Sequence, residues 1–214
     1  MPPLDRVVLA GEHVRLEPLL LQRAEGLPNA ADESRRTYAL CGVPLQPVPA
    51  TLPEARRFIE MALAEEEHGQ SLAFTVFAAG GEIVGTTRYM TIEWWRWPGP
   101  PLEPVPVGPD VLEIGWTWYA ERVQRTAVNT ESKLLLCTHA FEKLRVRRVS
   151  WKTDARNERS RAAILRLGAR FDGILRAHRV GANGAVRDRA YYSMLSTEWP
   201  EAKRGLREKL ARHA

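Results

Sequence analysis

The strongest periodicity in the chain lies between Thr130 and Leu144. Leu134, Cys137, Phe141 and Leu144 recur there at i, i+3, i+7 and i+10, one apolar stripe of a helix. Strand patterns flank it, Val111 to Tyr119 before and Val149 to Thr153 after. A second helix follows from Asn157 to Leu167, with Asn157 as N-cap and Gly168 past its end. A strand feeding a helix, and then a strand feeding a helix again, places the chain in the α/β class.

The remaining segments read as strands, helices and turns. His13 to Pro18 is a strand, Val14 and Leu16 alternating with His13, Arg15 and Glu17. Leu20 to Asn29 is helical in part, and Pro44, Pro47, Pro49 and Pro53 punctuate a loop. A helix runs from Pro53 to about His68, with Phe58, Met61 and Ala62 on one face and Glu65 to Glu67 on the wet one. Ser71 to Ala78 and Ile83 to Thr91 pair about Gly80-Gly81. Arg170 to Val180 and Val186 to Leu195 pair about Ala182-Asn183-Gly184, whose Asn-Gly is a strong hairpin signal.

Trp94, Trp95, Arg96 and Trp97 run into Pro98, Pro100, Pro101, Pro104, Pro106 and Pro109. Proline donates no backbone hydrogen bond, so this is a long loop, and long loops in compact domains are commonly functional. Three exposed indoles there would be an aggregation liability. Either they pack on the protein's own body, or Trp94 and Trp95 shape an acceptor site or a homodimer interface. No repeat or domain boundary is visible. The chain reads as one domain over 1–214, with the Trp/Pro-rich loop inserted at 92–110 and a basic helical tail at 198–214.

A length of 214 residues with 44% hydrophobic and 27% charged side chains rules out wholesale disorder and supports a core without metal or disulfide. Lys plus Arg (31) exceed Asp plus Glu (26), a net charge of +5, which suits an anionic ligand or nucleic acid. Cys41 and Cys137 have no metal-ligand spacing and no disulfide framework, which points to a reducing compartment. His13, His68, His139, His178 and His213 are scattered, so no metal site is expected. No stretch approaches the roughly 18 apolar residues of a membrane span, and Met1 to Arg6 lacks the features of a signal peptide. A soluble, cytoplasmic protein is the expectation.

Two places could carry chemistry. Glu121 to Thr130 joins a strand to a helix, and a helix N-terminus offers free N–H groups and partial positive charge to phosphate. Arg125 just before it and Lys133 in its first turn would favour an anion there. The alternative is that both are solvated, with Glu131 relieving the dipole. Asn157 and Ser160 stand at the carboxyl end of a strand, where open α/β sheets bind ligands. Asn157 could equally be only a cap.

Strand, helices, three strands, helix, strand, helix and terminal hairpin together resemble the GNAT acyltransferase superfamily. Glu113-Ile114-Gly115-Trp116, Asn129-Thr130-Glu131, Lys152 through Ser160, Glu198-Trp199-Pro200 and the opening His13-Val14-Arg15-Leu16-Glu17-Pro18 look like its Rim-type branch, named for acetylation of ribosomal-protein N-termini. The likeness covers nearly the whole chain apart from the Trp/Pro loop and tail. It implies a mixed, mostly antiparallel twisted sheet of about seven strands flanked by helices, and transfer of acetyl from acetyl-CoA to an amine.

The family's pyrophosphate loop, Gln/Arg-x-x-Gly-x-Gly/Ala, matches Gln124-Arg125-Thr126-Ala127-Val128-Asn129, with Ala127 in place of a glycine. The resemblance therefore implies that Thr117, Trp118, Tyr119, Gln124 to Thr130, Lys133 and Asn157 hold acetyl-CoA. Ile164 and Leu165 stand where many relatives carry a tyrosine acid. Glu113, a carboxylate in an apolar strand on the face assigned to Gly115, Thr117 and Tyr119, becomes the candidate base, with a structural ion pair as its alternative. Ser160 becomes the candidate donor to the thiolate, Asn157 a ligand of the pantetheine arm or a water, and His178 a candidate substrate contact. The rival reading is a GNAT-like protein that binds acyl-CoA, or nucleic acid through the basic tail, without turnover. No nucleic-acid motif accompanies it.

Overall fold

The computed structural model describes residues 2–32, 48–99, 106–181 and 184–212. The readings at Cys41, Pro44, Pro47, Pro100, Pro101, Pro104, Ala182, Asn183 and His213 lie outside the described residues. One sheet has the strand order β1-β2-β3-β4-β5-β6-β8-β7. Its strands are β1 (Leu9–Ala10), β2 (Val14–Pro18), β3 (Ser71–Ala78), β4 (Ile83–Glu93), β5 (Val111–Tyr119), β6 (Arg148–Asp154), β7 (Arg170–Val180) and β8 (Val186–Leu195). The sheet has eight strands rather than about seven, because two-residue β1 is too short to show periodicity. The described helices are α1 (Leu27–Asp32), α2 (Leu52–Glu67), α3 (Ala127–Thr138), α4 (Glu158–Arg166) and α5 (Trp199–Leu210). None of them is long and apolar enough to cross a membrane.

Every neighbouring pair is antiparallel except β5 and β6, which run parallel. A parallel pair needs a crossover, and α3 supplies it. Helix α2 starts one residue before Pro53, because Thr51 and Glu54 form a capping box. Its buried face is Ala55, Phe58, Ile59 and Ala62, while Met61 is 40% exposed, against the sequence reading. Glu66 also turns inward, to an ion pair with Arg6, so the covered stripe is wider than the apolar one.

Helix α3 begins at Ala127, three residues before the expected Thr130, because the Thr126 hydroxyl accepts the Val128 N–H at 3.3 Å. Its first turns are buried at Ala127, Val128 and Thr130 to Lys133, and the buried stripe then runs through Leu136 and Cys137 to Ala140 and Phe141. Leu134 and Leu144 are only half-buried. The helix is wedged between the sheet and α5, and its last turn widens to π geometry over His139–Lys143, so the apolar stripe drifts from the expected one.

Glu131 fastens the start of the chain to this helix. Its Oε1 accepts the Glu12 N–H at 2.9 Å, and its Oε2 accepts those of His13 at 2.6 Å and Val14 at 2.8 Å. The approach is so close that a Cβ on Gly11 would lie 2.4 Å from Glu131 Cδ. Three backbone donors on one buried carboxylate make Glu131 an anchor for β2 rather than a counter-charge for the helix dipole. Glu131→Ala should destabilise the fold by about 2–4 kcal/mol in urea unfolding, because it strands those donors, and Glu131→Gln should recover part of the loss. A loss near zero would show that the turn before β2 is held by something else.

Candidate active site

The parallel ladder between β5 and β6 is short. It joins Val111 to Arg148, Leu112 to Val149 and Glu113 to Ser150, and then the strands part. The outer edges of both strands stay paired, β5 to β4 and β6 to β8. From Ile114 to Tyr119, roughly 20 Å of extended chain, the inner edge of β5 therefore has no strand partner. Such an edge is a template for an extended ligand that carries amides.

A bulge aims this edge. Thr86 faces Trp118 and Arg88 faces Gly115, so β5 carries one extra residue opposite Thr87, and Trp116 adopts a φ of 47°. The extra residue reverses the alternation. Glu113 and Gly115 share a face with Arg88, whereas Thr117 and Tyr119 turn to the opposite face, which corrects the common face expected from simple alternation. Cations clamp the bulge from both sides. The Arg88 guanidinium, 1% exposed, lies 4.4 Å from the centre of the Trp116 ring and bonds Glu65 at 2.8 Å. On the other face, Lys133 Nζ donates to Thr117 Oγ1 at 2.7 Å and to Thr87 Oγ1 at 3.1 Å.

Lys133 is thus not a solvated cation at the phosphate end. It is 4% exposed and points under the sheet, so its side chain leaves the cofactor set. Burial pushes its ammonium down to about 7, and the Cys137 thiol, itself pushed up to about 12 by burial, opposes that shift. Lys133 stands on the same stripe as Leu136, Cys137 and Ala140, a spacing visible in the sequence. Thr117, Trp118 and Tyr119 are likewise available to a ligand through backbone, since the Thr117 hydroxyl is taken and both aromatic side chains are buried.

At the open end of the cleft stand the N-termini of α3 and α4. Arg125 adopts a φ of 66° and is exposed, as are Arg122 and Thr126. The Thr126 hydroxyl claims only the Val128 amide and donates to Val123 O, leaving other first-turn amides for an anion. Ala127 and Val128 are buried in the first helical turn, and Asn129 and Thr130 follow in the same turn. Gln124 bonds Tyr119 O at 3.0 Å and receives Arg159 Nη2 at 2.5 Å, so the two lips of the cleft touch. Neither partner is visible as a pair in the sequence, because 35 residues separate them.

Asn157 does cap α4, its Oδ1 accepting the Ser160 N–H at 3.0 Å. Its amide NH2 and the Ser160 hydroxyl donate to nothing among the described residues. Glu113, 4% exposed, lies at the foot of the cleft, where β5 and β6 separate. Its Oε2 accepts Thr91 Oγ1 at 3.0 Å and pairs with Lys152 at 2.8 Å, so the ion-pair alternative is realised in part, and Oε1 stays free among the described residues. His178 joins this neighbourhood through Tyr191, whose hydroxyl lies 3.0 Å from Nε2. Burial first, then Lys152, Arg189 and Arg179, lower the imidazole's pKa. Sequence reasoning missed Lys152 and Tyr191, which only strand register brings opposite each other.

The Trp loop meets the sheet at the other end, by the first residues of β5 and β6. Trp94 packs against the core, the alternative weighed above. Trp95 (45% exposed) and Trp97 (37%) lie 5.9 Å apart on the surface, with Arg147 4.6 Å above the Trp97 ring.

The acetyltransferase (GNAT) domain pattern matches residues 13–170. YdaF of Bacillus subtilis (strain 168), named provisionally as a ribosomal N-acetyltransferase, is 36% identical over 91 residues, 42% of this chain. The match spans about half, 49%, of that relative's length. A GCN5-related N-acetyltransferase from Brucella melitensis superposes with a TM-score of 0.82 at 29% identity, over 98% of this chain and 87% of that one. RimJ of Mycobacterium smegmatis, solved with CoA-disulfide, has the same fold, with a TM-score of 0.75 at 20% identity over 97% and 95% of the two chains.

The buried lysine has a measurable consequence. Unfolded, Lys133 holds its proton to the ordinary value of 10.5, whereas in the fold it releases it near 7. Between those values unfolding takes up a proton, so stability rises with pH. Urea unfolding from pH 7 to 10 should therefore show a steeper rise for the native chain than for Lys133→Met, by up to about 1.4 kcal/mol per pH unit. Coincident slopes would mean that Lys133 does not titrate in this window.

Proposed function

The chain belongs to the acetyltransferase (GNAT) domain family, and from that premise we propose that it transfers acetyl from acetyl-CoA to a primary amine by direct attack, without a covalent enzyme intermediate. The observation that carries this reading is the parting of β5 and β6 at Glu113 and Ser150, with two helix N-termini at the open end. The chemistry of the site fits the co-substrate at each level. The amides and cations at Arg122 to Asn129 suit a pyrophosphate. The unpaired edge from Ile114 to Tyr119 and the free amide of Asn157 suit the two amides of a pantetheine arm.

The foot of the cleft then receives the thioester. An α-amine has a pKa of about 8 and a lysine about 10.4, so the acceptor must lose a proton before its lone pair can attack the carbonyl carbon. Glu113 Oε1 takes that proton, directly or through one water, while Thr91 and Lys152 hold Oε2 still. As the new C–N bond forms, the C–S bond breaks; the Ser160 hydroxyl gives its proton to the departing thiolate and is reprotonated by the second proton that the attacking nitrogen sheds on becoming an amide. The acceptor reaches Glu113 from the face that carries Lys152, Tyr191 and His178.

Three variants test this. Glu113→Gln should lower kcat by about 10²–10⁴-fold, and Ser160→Ala should slow turnover without a matching loss of acetyl-CoA affinity. Arg125→Glu should raise the acetyl-CoA dissociation constant, more so at low salt. Near-native kcat in either of the first two would make that residue structural. Calorimetric binding of acetyl-CoA with no turnover of any amine would favour a binding protein.

A further inference from the structure

Register places Glu113 on one face with Ser150, Lys152 and Asp154 of β6, and with Tyr191 and Arg189 of β8. Helix α2 packs over β3 and reaches that face of β4 through Glu65, which accepts from Arg88. Helices α3 and α4 bond the opposite face, through Thr87, Tyr89 and Tyr192. Over β6, β8 and β7 the Glu113 face therefore lacks a covering helix among the described residues.

The charges on this bare face do not balance. Lys152 is paired with Glu113. Both oxygens of Asp154 are held by Arg156, at 3.1 and 3.2 Å, and Asp188 Oδ1 accepts the Ala177 N–H. Tyr191 is engaged with His178. That leaves Arg189, only 7% exposed, which donates no hydrogen bond and makes no ion pair within 4 Å among the described residues. Its side chain is largely buried and its five N–H donors meet no acceptor among the described residues, an arrangement that is costly unless an anion completes it. Burial and the neighbouring Arg179 both press its pKa down, while Asp154 and Glu113 act against them from beyond bonding distance.

A guanidinium offers a planar fork that matches carboxylate and phosphate, and a buried one binds them most strongly. Register puts Arg189 on the same face as Glu113, across β6 and opposite Asp154, four residues along that strand from the Ser150 that pairs with Glu113. We propose that the acceptor of this enzyme is an acidic amine: a carboxylate or phosphate held by Arg189, assisted by Arg179, a few bonds from the nitrogen that reacts at Glu113. The inference rests on the acetyl-transfer reading and adds to it the chemical class of the acceptor. Lys152 stays committed to Glu113, and Tyr191 and His178 border the path between the two ends of the substrate.

The test compares matched acceptors on the full chain with acetyl-CoA, following thiol release. One pair is a peptide amide with N-terminal Asp against the same peptide with Asn; the other is O-phosphoethanolamine against ethanolamine. At least one acidic member should exceed its neutral partner in kcat/KM by about tenfold to a hundredfold, and the responding pair identifies the anion. Arg189→Gln should bring that ratio towards one, and Arg189→Lys should keep part of it. Acetyl-CoA affinity and thermal melting check that the variants fold; if Arg189→Gln does not, Arg179→Gln is read for a reduced ratio. Neutral amines acetylated with both ratios near one would overturn the inference while leaving acetyl transfer intact. An Arg189→Gln that lowers both members of a pair equally would make the residue structural. No acetylation of any amine would overturn the acetyl-transfer reading and this inference with it.

Discussion

The pairing of β5 with β6 ends after three residue pairs, and the bulge at Trp116 holds the strands on their separate courses. A strand centre left without a neighbour is normally a liability, since its N–H and C=O groups face a gap. Here the gap is kept open by the structure around it. Trp116 is pinned from one face by Arg88 and Thr117 from the other by Lys133. Crowding on the far side adds to this: Gly85, at a φ of 156° and opposite Tyr119, lies so close to β5 that a Cβ would be 2.0 Å from the Trp118 carbonyl oxygen. The bulge and the opening beside it are thus over-determined by packing.

Buried polar groups mark the parts of the fold whose position matters most. Glu131 ties β2 to α3, Lys133 ties α3 to β4 and β5, and Arg88 ties β4 to α2. Each is fully or nearly fully buried and would destabilise the fold if its partner were lost. Together they link β2, α3, the bulged strand and α2 into one unit. Arg189 breaks the pattern because it is largely buried and has no partner among the described residues, which is why it reads as half of a site rather than as a fastener.

Much of this was legible in the residue order. Ser71–Ala78, Val111–Tyr119, Arg170–Val180 and Val186–Leu195 are strands to the residue, because alternation and turn chemistry act over a few neighbours. Asn157 as cap and Gly168, at a φ of 96°, as terminator follow from the same short-range rules. The start of α3 was misplaced because a threonine cap at Thr126 outweighed the late onset of its apolar stripe. Met61 was misplaced because helical spacing alone does not say how wide a face the sheet will cover.

The sequence by itself determined the strand and helix content, the family pattern and the candidacy of Glu113, Asn157 and Ser160, since each depends on residue type and local spacing. Tertiary structure alone decided which way those elements face. One extra residue in β5 reverses the alternation beyond it, so Thr117 and Tyr119 leave the face of Glu113, and nothing in β5 itself announces the bulge. The same holds for Lys133, whose inward turn depends on hydroxyls from two strands, and for Arg189, which has no counter-ion among the described residues while Arg156 holds Asp154. Such pairings join residues far apart in the chain, and their energies exist only once the sheet has assembled.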